Sequence, residues 1–366
     1  MVRRYHYAGL AAPLLLAGAA LAERTAEWQT LRPGGDTLCA NGTPYEFHAR
    51  RADSNKVMIF FNGGGACWNG EDCDPANNIP GKSINYRVEA SPQWGNDPRA
   101  YDGAFALDKP DNPFRDWSQV FVSYCTGDVH LGTRDIDYPR DDGSKLTIHH
   151  RGRVNAQAAL DYLYEEFPEA QRLFVAGASA GAISSPYYAA EIAQLYPAAA
   201  IVQFAGGGGG YRLPPPTELW RNWGVFDQLP SWFDQSRYTE GSTQLLDLYR
   251  AAAAAQPDIR FYLYDTAYDH VQELFHAKLG HPVALYSGLQ ANLEDLQESL
   301  PYMRSYVAAG EFHTLLRYSE LYSVETNGVK TLDWVNSIAA GEEVDSVSCG
   351  DASRCAAGIS EQQAGD

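Results

Sequence analysis

Leu173-Phe-Val-Ala-Gly177-Ala-Ser179-Ala-Gly181-Ala-Ile-Ser184 is the stretch whose reading decides the fold. The apolar run 173–176 has the continuous hydrophobicity of a buried strand. Gly177 breaks it, and small residues that can open a helix follow. Gly177-Ala-Ser179-Ala-Gly181 fits G-x-S-x-G, in which a serine stands on a sharp strand-to-helix turn. Such a turn strains the serine backbone, so its neighbours must be small. It lifts the hydroxyl out of the sheet and aims the next backbone N–H, here that of Ala180, at a developing oxyanion. The bland alternative is a Gly/Ala/Ser turn that packs a helix closely on a sheet. The pentapeptide alone does not separate the two.

Working outward, strands and helices alternate. Continuous apolar runs at 56–61, 120–124, 199–204 and 259–264 read as buried strands. Helical spacing marks 152–167, 183–196 (with Pro186 in its first turn) and 243–255, and also 291–307 with a break or fresh start at Pro301. The segments 37–39 and 45–48 read as an edge hairpin, and 135–145 as a polar loop. This alternation implies an α/β fold: a mostly parallel central sheet with helices on both faces. Residues 74–115, rich in Pro, Asn, Asp and Gly, read as a long surface excursion that could rim the site. The aromatic stretch 211–235, with Trp220, Trp223, Phe226, Trp232 and Phe233, reads as a helical cap or as core packing. The glycine run 206–210 lacks the lysine and hydroxyl residue of a phosphate loop and reads as a turn where backbone passes close to something.

Length and composition fit one large domain over 23–366. The net charge of -18 argues against a nucleic-acid partner. Residues 1–22 read as a signal peptide: Arg3 and Arg4, an apolar stretch, then Ala20-Leu-Ala22 at the cleavage positions. That stretch contains Pro13 and falls short of the ~20 residues of a membrane span, so no stable anchor is expected. The chain is therefore expected in the periplasm or outside the cell. Its six cysteines suit such a compartment. Cys67/Cys73 and Cys349/Cys355 are close enough in sequence to close small loops, the second stapling the tail 341–366. That leaves Cys39 for Cys125, out of about 15 possible pairings. Zinc spacing is absent, and no metal or cofactor is expected.

A serine nucleophile needs a base, and the base an acidic partner. After Ser179 the histidines are His270, His276, His281 and His313. His313, the last, stands clear of the acid candidates and is the expected base. Asp265 ends a strand and Asp269 follows one turn later; position alone leaves them tied. Asn62-Gly-Gly-Gly65 follows the strand at 56–61, where glycines let backbone donors approach a substrate. Asp128 also follows a strand, and lines a pocket or caps a turn.

Several blocks together resemble one family. Asn62-Gly-Gly-Gly-Ala-Cys67-Trp68-Asn69-Gly-Glu-Asp-Cys73 is similar to the Gly-Gly-x-x-Cys…Cys block of the pectin acetylesterase/Notum family, and so is Val122-Ser-Tyr-Cys125-Thr-Gly-Asp128 after Asp116-Trp117. Gly177-Ala-Ser179-Ala-Gly181 resembles its Gly-x-Ser-Ala-Gly, and Ala267-Tyr-Asp269-His-Val-Gln272 its Ala-Tyr-Asp-x-x-Gln. The resemblance implies an α/β-hydrolase-like fold and a metal-free serine carboxylesterase. It implies Asp269 as the acid and His313 as the base. It also implies oxyanion donors from Gly64, Gly65 and Ala180, and a Cys67–Cys73 disulfide. Trp68, Asp128 and Trp220 are expected to line the substrate site. Gly65-Ala66 stands where the family usually has tryptophan, and Ala182 where plant members have glycine. The expected reaction is deacylation of a carbohydrate or another short-acyl ester. The alternatives are a lipid or fatty-acyl ester, a peptidase on the same fold, and a non-catalytic binding protein.

Overall fold

Alternation along the central strands sends side chains to two separate cores. In β3 (Lys56–Phe61), Val57, Ile59 and Phe61 face one core and Met58 and Phe60 the other. In β7 (Arg172–Ala178), Leu173 and Val175 oppose Phe174 and Ala176 in the same way. Both strands are therefore buried on both faces, as a parallel sheet requires. A computed structural model describes residues 27–52, 54–80, 85–140, 143–212, 214–280 and 284–356. The expected signal peptide, Leu213, His281 and the end of the tail lie outside the described residues.

The main sheet has nine strands among the described residues. Besides β3 and β7 they are β1 (Gln29–Leu31), β2 (Phe47–Arg50), β4 (Ser118–Val122), β8 (Ala200–Gly206), β9 (Arg260–Thr266), β10 (Met303–Ala308) and β13 (Val347–Ser348). Their order is β1-β2-β4-β3-β7-β8-β9-β10-β13. From β4 to β13 every pairing is parallel; β2 pairs antiparallel with both β1 and β4 and is the one reversed strand among these nine. One face is covered by α2 (Gly152–Glu166), α3 (Ala180–Leu195), α5 (Asp247–Ala255) and α7 (Leu285–Ser299). The other is covered by the segment 104–117 with α8 (Glu320–Ser323) and α9 (Thr331–Ala340). This is the mostly parallel α/β-hydrolase-like architecture. Strand order reverses at β3/β7, and a crevice at such a point is where these sheets bind ligands. Helices α1 (Gly70–Cys73), α4 (Thr217–Trp223), α6 (His270–Lys278) and α10 (Ala352–Cys355), with the pair β11 (Glu325–Thr326) and β12 (Val329–Lys330), complete the regular elements.

Five local expectations need correction. The stretch 135–145 is no loop: it belongs to a hairpin of β5 (Arg134–Pro139) and β6 (Lys145–His150). Ile136, Tyr138, Leu146 and Ile148 face a third small core, while charged residues alternate with them on the wet side. The expected hairpin of 37–39 with 45–48 is a single bridge, Leu38 to Pro44, and β2 pairs with β1 instead. Helix α7 ends before Pro301, and β10 follows as a buried parallel strand rather than more helix. Helix α3 begins at Ala180, so Pro186 lies in its second turn. The Ser185 hydroxyl donates to Ala182 O (2.9 Å), the carbonyl that Pro186 cannot reach for want of an N–H. The excursion 74–115 has turns and short 3-10 segments but is not superficial: Tyr86, Asn96, Phe105 and Phe114 are buried.

The three disulfides are Cys39–Cys125, Cys67–Cys73 and Cys349–Cys355. No helix among the described residues is long and apolar enough to cross a membrane.

Helix α3 meets β3 with no room for a side chain: a Cβ on Gly181 would lie 2.0 Å from Phe61 O. Gly181→Ala is therefore expected to cost about 3 kcal/mol through overpacking, read as a lowered midpoint of thermal unfolding. Gly241→Ala, where a Cβ meets nothing within 4 Å, is the control expected to melt with the wild type.

Candidate active site

Ser179 occupies the turn between β7 and α3 with φ 54° and ψ -121°. A non-glycine residue in this region stores roughly 1–3 kcal/mol of strain. Two hydrogen bonds pin it: Ser179 N–H donates to Gly206 O (2.8 Å), and Ala182 N–H donates to Ser179 O (2.8 Å). Neighbouring backbone closes in from both sides. A Cβ on Gly177 would lie 2.1 Å from Gly181 O, and one on Gly63 would lie 2.7 Å from Ser179 Cβ. The small residues around the serine are a steric requirement of the turn. Ser179 itself is half-buried and open on one side.

The loop after β3 is organised by Asn62, which is fully buried. Its Oδ1 accepts from Gly63 N–H (3.0 Å) and Arg317 Nη1 (2.9 Å). Its Nδ2 donates to Gly95 O and Asn96 Oδ1, both at 2.9 Å, and its carbonyl accepts from His130 Nε2 (2.8 Å). Gly64 and Gly65 follow with φ 155° and 75°. Their carbonyls are engaged, by Arg87 N–H and by the Tyr124 hydroxyl. Among the described residues, the N–H groups of Gly64, Gly65 and Ala180 have no acceptor. These are free donors on two loops that meet where Gly63 touches Ser179.

Behind this loop lie two arginines that sequence reading did not single out. Arg317 is buried, and the Arg87 stem lies against Gly64. Among the described residues neither has a carboxylate partner. They share the Tyr101 hydroxyl, at 3.1 Å from Arg87 Nη1 and 3.3 Å from Arg317 Nη1. Burial pushes the Tyr101 phenol up, but the two guanidiniums outweigh it and bring it down to about 8. In an acidic chain, this places positive charge beside the free N–H groups.

Of Asp265 and Asp269, it is Asp269 that meets His313. His313 Nδ1–H donates to Asp269 Oδ2 (2.6 Å). Asp269 is fully buried and caps α6, accepting from the N–H groups of Val271 (3.0 Å) and Gln272 (3.1 Å). Gln272 Nε2 adds a fourth bond to its Oδ2 (2.9 Å). His313 packs against Gly207, where a Cβ would lie 2.9 Å from its Cε1. The glycine run therefore passes close to the base, and Gly206 in the same run accepts the Ser179 N–H. His313 Nε2 is buried and has no partner among the described residues, and no hydrogen bond joins it to Ser179 Oγ here. His270 bonds Glu311 O, and His276 bonds Gly210 O.

Asp265 has another part. Its Oδ1 accepts from Gln272 Nε2 (2.6 Å) and Gly209 N–H (3.2 Å), and its Oδ2 has no partner among the described residues. Burial, then the neighbouring Asp269 charge, push its carboxyl up to about 8, against hydrogen bonds that pull it down. Gln272 thus bridges the carboxyl of Asp265 and the one that holds His313. The spacing Asp269-x-x-Gln272 carried this signal, since the first turn of a helix faces its own cap.

Asp128 does not line a pocket. It is fully buried and holds a turn, accepting from Thr126 Oγ1 (2.6 Å), His130 N–H (3.2 Å) and Gly152 N–H (2.7 Å). Burial, opposed by these bonds, pushes its carboxyl up to about 6. Trp220 is buried and lines a separate small cavity with Tyr187, Phe226 and Phe233; it packs edge-on to Trp223 and Phe226, and its Nε1 donates to Thr243 O (3.3 Å). Trp68 does line a cavity, together with Ala66, Ile183, Leu219, Trp223 and Phe275. This cavity lies between the glycine loop, the start of α3 and the helices α4 and α6, and its lining is almost wholly apolar. Its volume is about 40 Å³.

The structure thus holds a half-buried Ser179, a carboxylate-held His313, N–H groups without acceptors on Gly64, Gly65 and Ala180 among the described residues, and an apolar cavity between the glycine loop and α3. Residues 31–221 match the pectinacetylesterase family, and the chain belongs to it. Among curated relatives it is similar to the palmitoleoyl-protein carboxylesterase notum1a of Danio rerio, 26% identical over 147 residues. It is also similar to the palmitoleoyl-protein carboxylesterase NOTUM of Mus musculus, 27% identical over 148 residues. Each alignment covers 39% of this chain and 27% of the relative, so the match spans about a quarter of their length. The family match contains the glycine loop and Ser179 and ends before Asp269 and His313.

Asp265 yields a stability prediction. Below its ordinary value of 3.8, folded and unfolded states both hold the proton. As pH rises toward 8 the unfolded carboxyl ionises while the folded one does not, so the wild type loses stability until about pH 8. Asp265→Asn removes this dependence. Its gain in melting temperature over the wild type should grow from pH 5 to pH 8; a gain independent of pH contradicts the assignment.

Proposed function

We propose that the chain is an exported serine carboxylesterase that deacylates carbohydrate or other short-acyl esters. The observation that carries the reading is His313, with Nδ1 on a buried carboxylate and Nε2 left without a partner. That is the state of a general base awaiting its proton donor. Export is supported by the leader-like N-terminus and the three disulfides.

In this scheme Ser179 Oγ attacks the ester carbonyl carbon while its proton passes to His313 Nε2. Asp269 holds the ring in the tautomer that can accept it and stabilises the imidazolium. The N–H groups of Gly64, Gly65 and Ala180 receive the oxyanion. The tetrahedral intermediate collapses, His313 protonates the leaving alcohol oxygen, and an acyl-serine remains. Water then gives a proton to His313 and attacks the acyl carbon, releasing the acid and restoring Ser179. Asp265 takes no proton in this sequence; through Gln272 it steadies Asp269.

The apolar cavity supports an acyl-side subsite. A cavity of about 40 Å³ takes a short acyl group, since one water-sized group needs roughly 10–15 Å³ of such space. A fatty-acyl ester is the second reading, because the lining is apolar and the curated relatives are named for palmitoleoyl-protein esters.

Two outcomes test the scheme. Ser179→Ala and His313→Ala should each lower kcat on p-nitrophenyl acetate by roughly 10³-fold or more, with folding retained; wild-type turnover in either contradicts it. Across a p-nitrophenyl ester series, kcat/KM should be highest for short acyl chains and fall as the chain lengthens. A maximum at sixteen or so carbons would favour the fatty-acyl reading.

A further inference from the structure

The last described segment lies outside the family match, yet it reaches the acid and the base. After α9 the chain returns as β13, pairs with β10, and Cys349 N–H donates to Val307 O (2.9 Å). The loop closed by Cys349–Cys355 then crosses the carboxyl ends of β9 and β10. There it contacts both loops that carry the candidate pair. Cys355 O accepts the Gly310 N–H (2.9 Å), three residues before His313. Gly310 O in turn accepts the N–H of Tyr268 (3.0 Å), the residue before Asp269. The Tyr268 hydroxyl donates to Ala352 O (3.1 Å). Its ring stacks on Tyr286 at 5.7 Å and 15°, and the Tyr286 hydroxyl donates to Gly350 O (2.7 Å).

The two loops are also tied directly, by Thr266 Oγ1 to Phe312 O (2.9 Å) and Ala267 N–H to Ala308 O (3.0 Å). Both leave the sheet close to its edge, where β10 has only the two-residue β13 beyond it. A 2.6 Å bond between side chains on two such loops needs both backbones fixed. The disulfide loop supplies the missing outer support, and Cys355 is fully buried in doing so.

We propose that the Cys349–Cys355 loop is a positioning element: through Gly310 and Tyr268 it keeps the Asp269 and His313 loops in register, and so governs turnover rather than substrate binding. This rests on the reading of Asp269 and His313 as the acid and base. The loop acts through them and does not touch substrate.

The test compares wild type, Ser179→Ala, the double variant Cys349→Ser/Cys355→Ser, and Tyr268→Phe/Tyr286→Phe. The last keeps the disulfide and removes two of its ties. Steady-state kinetics on p-nitrophenyl acetate are read with hydrogen exchange of the peptide around Gly310 and with thermal melting. In the cysteine variant kcat should fall at least about tenfold, as small misplacements of reacting groups do. KM should change little, and exchange at Gly310 should quicken. The tyrosine variant should shift the same quantities in the same direction by less, and it decides the matter if the cysteine variant does not fold. Wild-type kcat despite faster exchange at Gly310 overturns the inference, as does a rise in KM with kcat intact. Equal turnover by wild type and Ser179→Ala overturns the esterase reading, and this inference with it. A normal difference between those two, with kcat unchanged in the loop variants, overturns this inference alone.

Discussion

The site depends on a lack of space where β3, β7 and α3 meet. Gly63, Gly177 and Gly181 are each so crowded by backbone that a single added carbon would fall inside van der Waals contact. That closeness forces the chain to turn at Ser179 within one residue, and the turn holds the serine at φ 54°. Strain of this kind persists only where the surroundings over-determine it. Here they do so through the Gly206 carbonyl, the N-terminus of α3 and the Asn62 loop. The same approach brings the free N–H groups of Gly64 and Gly65 alongside that of Ala180. Steric crowding thus brings Ser179 and these N–H groups together.

Asp269 and His313 arrive from the other side of β8. Two strands away from β7, Asp269 follows β9, and His313 follows β10. A buried polar array joins them: Asp265, the Gln272 amide, Asp269 and His313. Gly210 N–H donates to Gln272 Oε1 (3.0 Å), which fixes the amide so that its NH₂ faces both carboxyls. Such arrays define one geometry when satisfied and are costly when broken. The glycine run 206–210 gives this array its space, since side chains there would strike His313, Asp265 and Gln272.

Much of this was legible in the sequence, where a local rule governs a local feature. The strand–turn–helix around Ser179, the glycine loop and the close cysteine pairs are of that kind. Asp265 and Asp269 were not separable by the residues alone, because both follow the same strand and only the partner of His313 distinguishes them. Asp128 and Trp220 were read as site residues because their strand-end and cap positions suit a site. Their complete burial is a property of the fold and leaves no mark in the sequence. The β5/β6 hairpin was missed because its wet face carries aspartates that resemble a loop. Strand β10 was missed because a helical spacing runs up to Pro301. Arg317 and the Cys349–Cys355 loop act on residues distant in sequence, which only the folded chain brings together.

The central claim is that Ser179 is activated by its surroundings. Mass spectrometry after treatment with a fluorophosphonate ester tests this most directly, because phosphonylation requires an activated serine and not a particular substrate. The account predicts one adduct, on the peptide containing Ser179, and its loss in His313→Ala. A folded wild-type protein that gains no adduct, or gains it on another residue, would contradict the account.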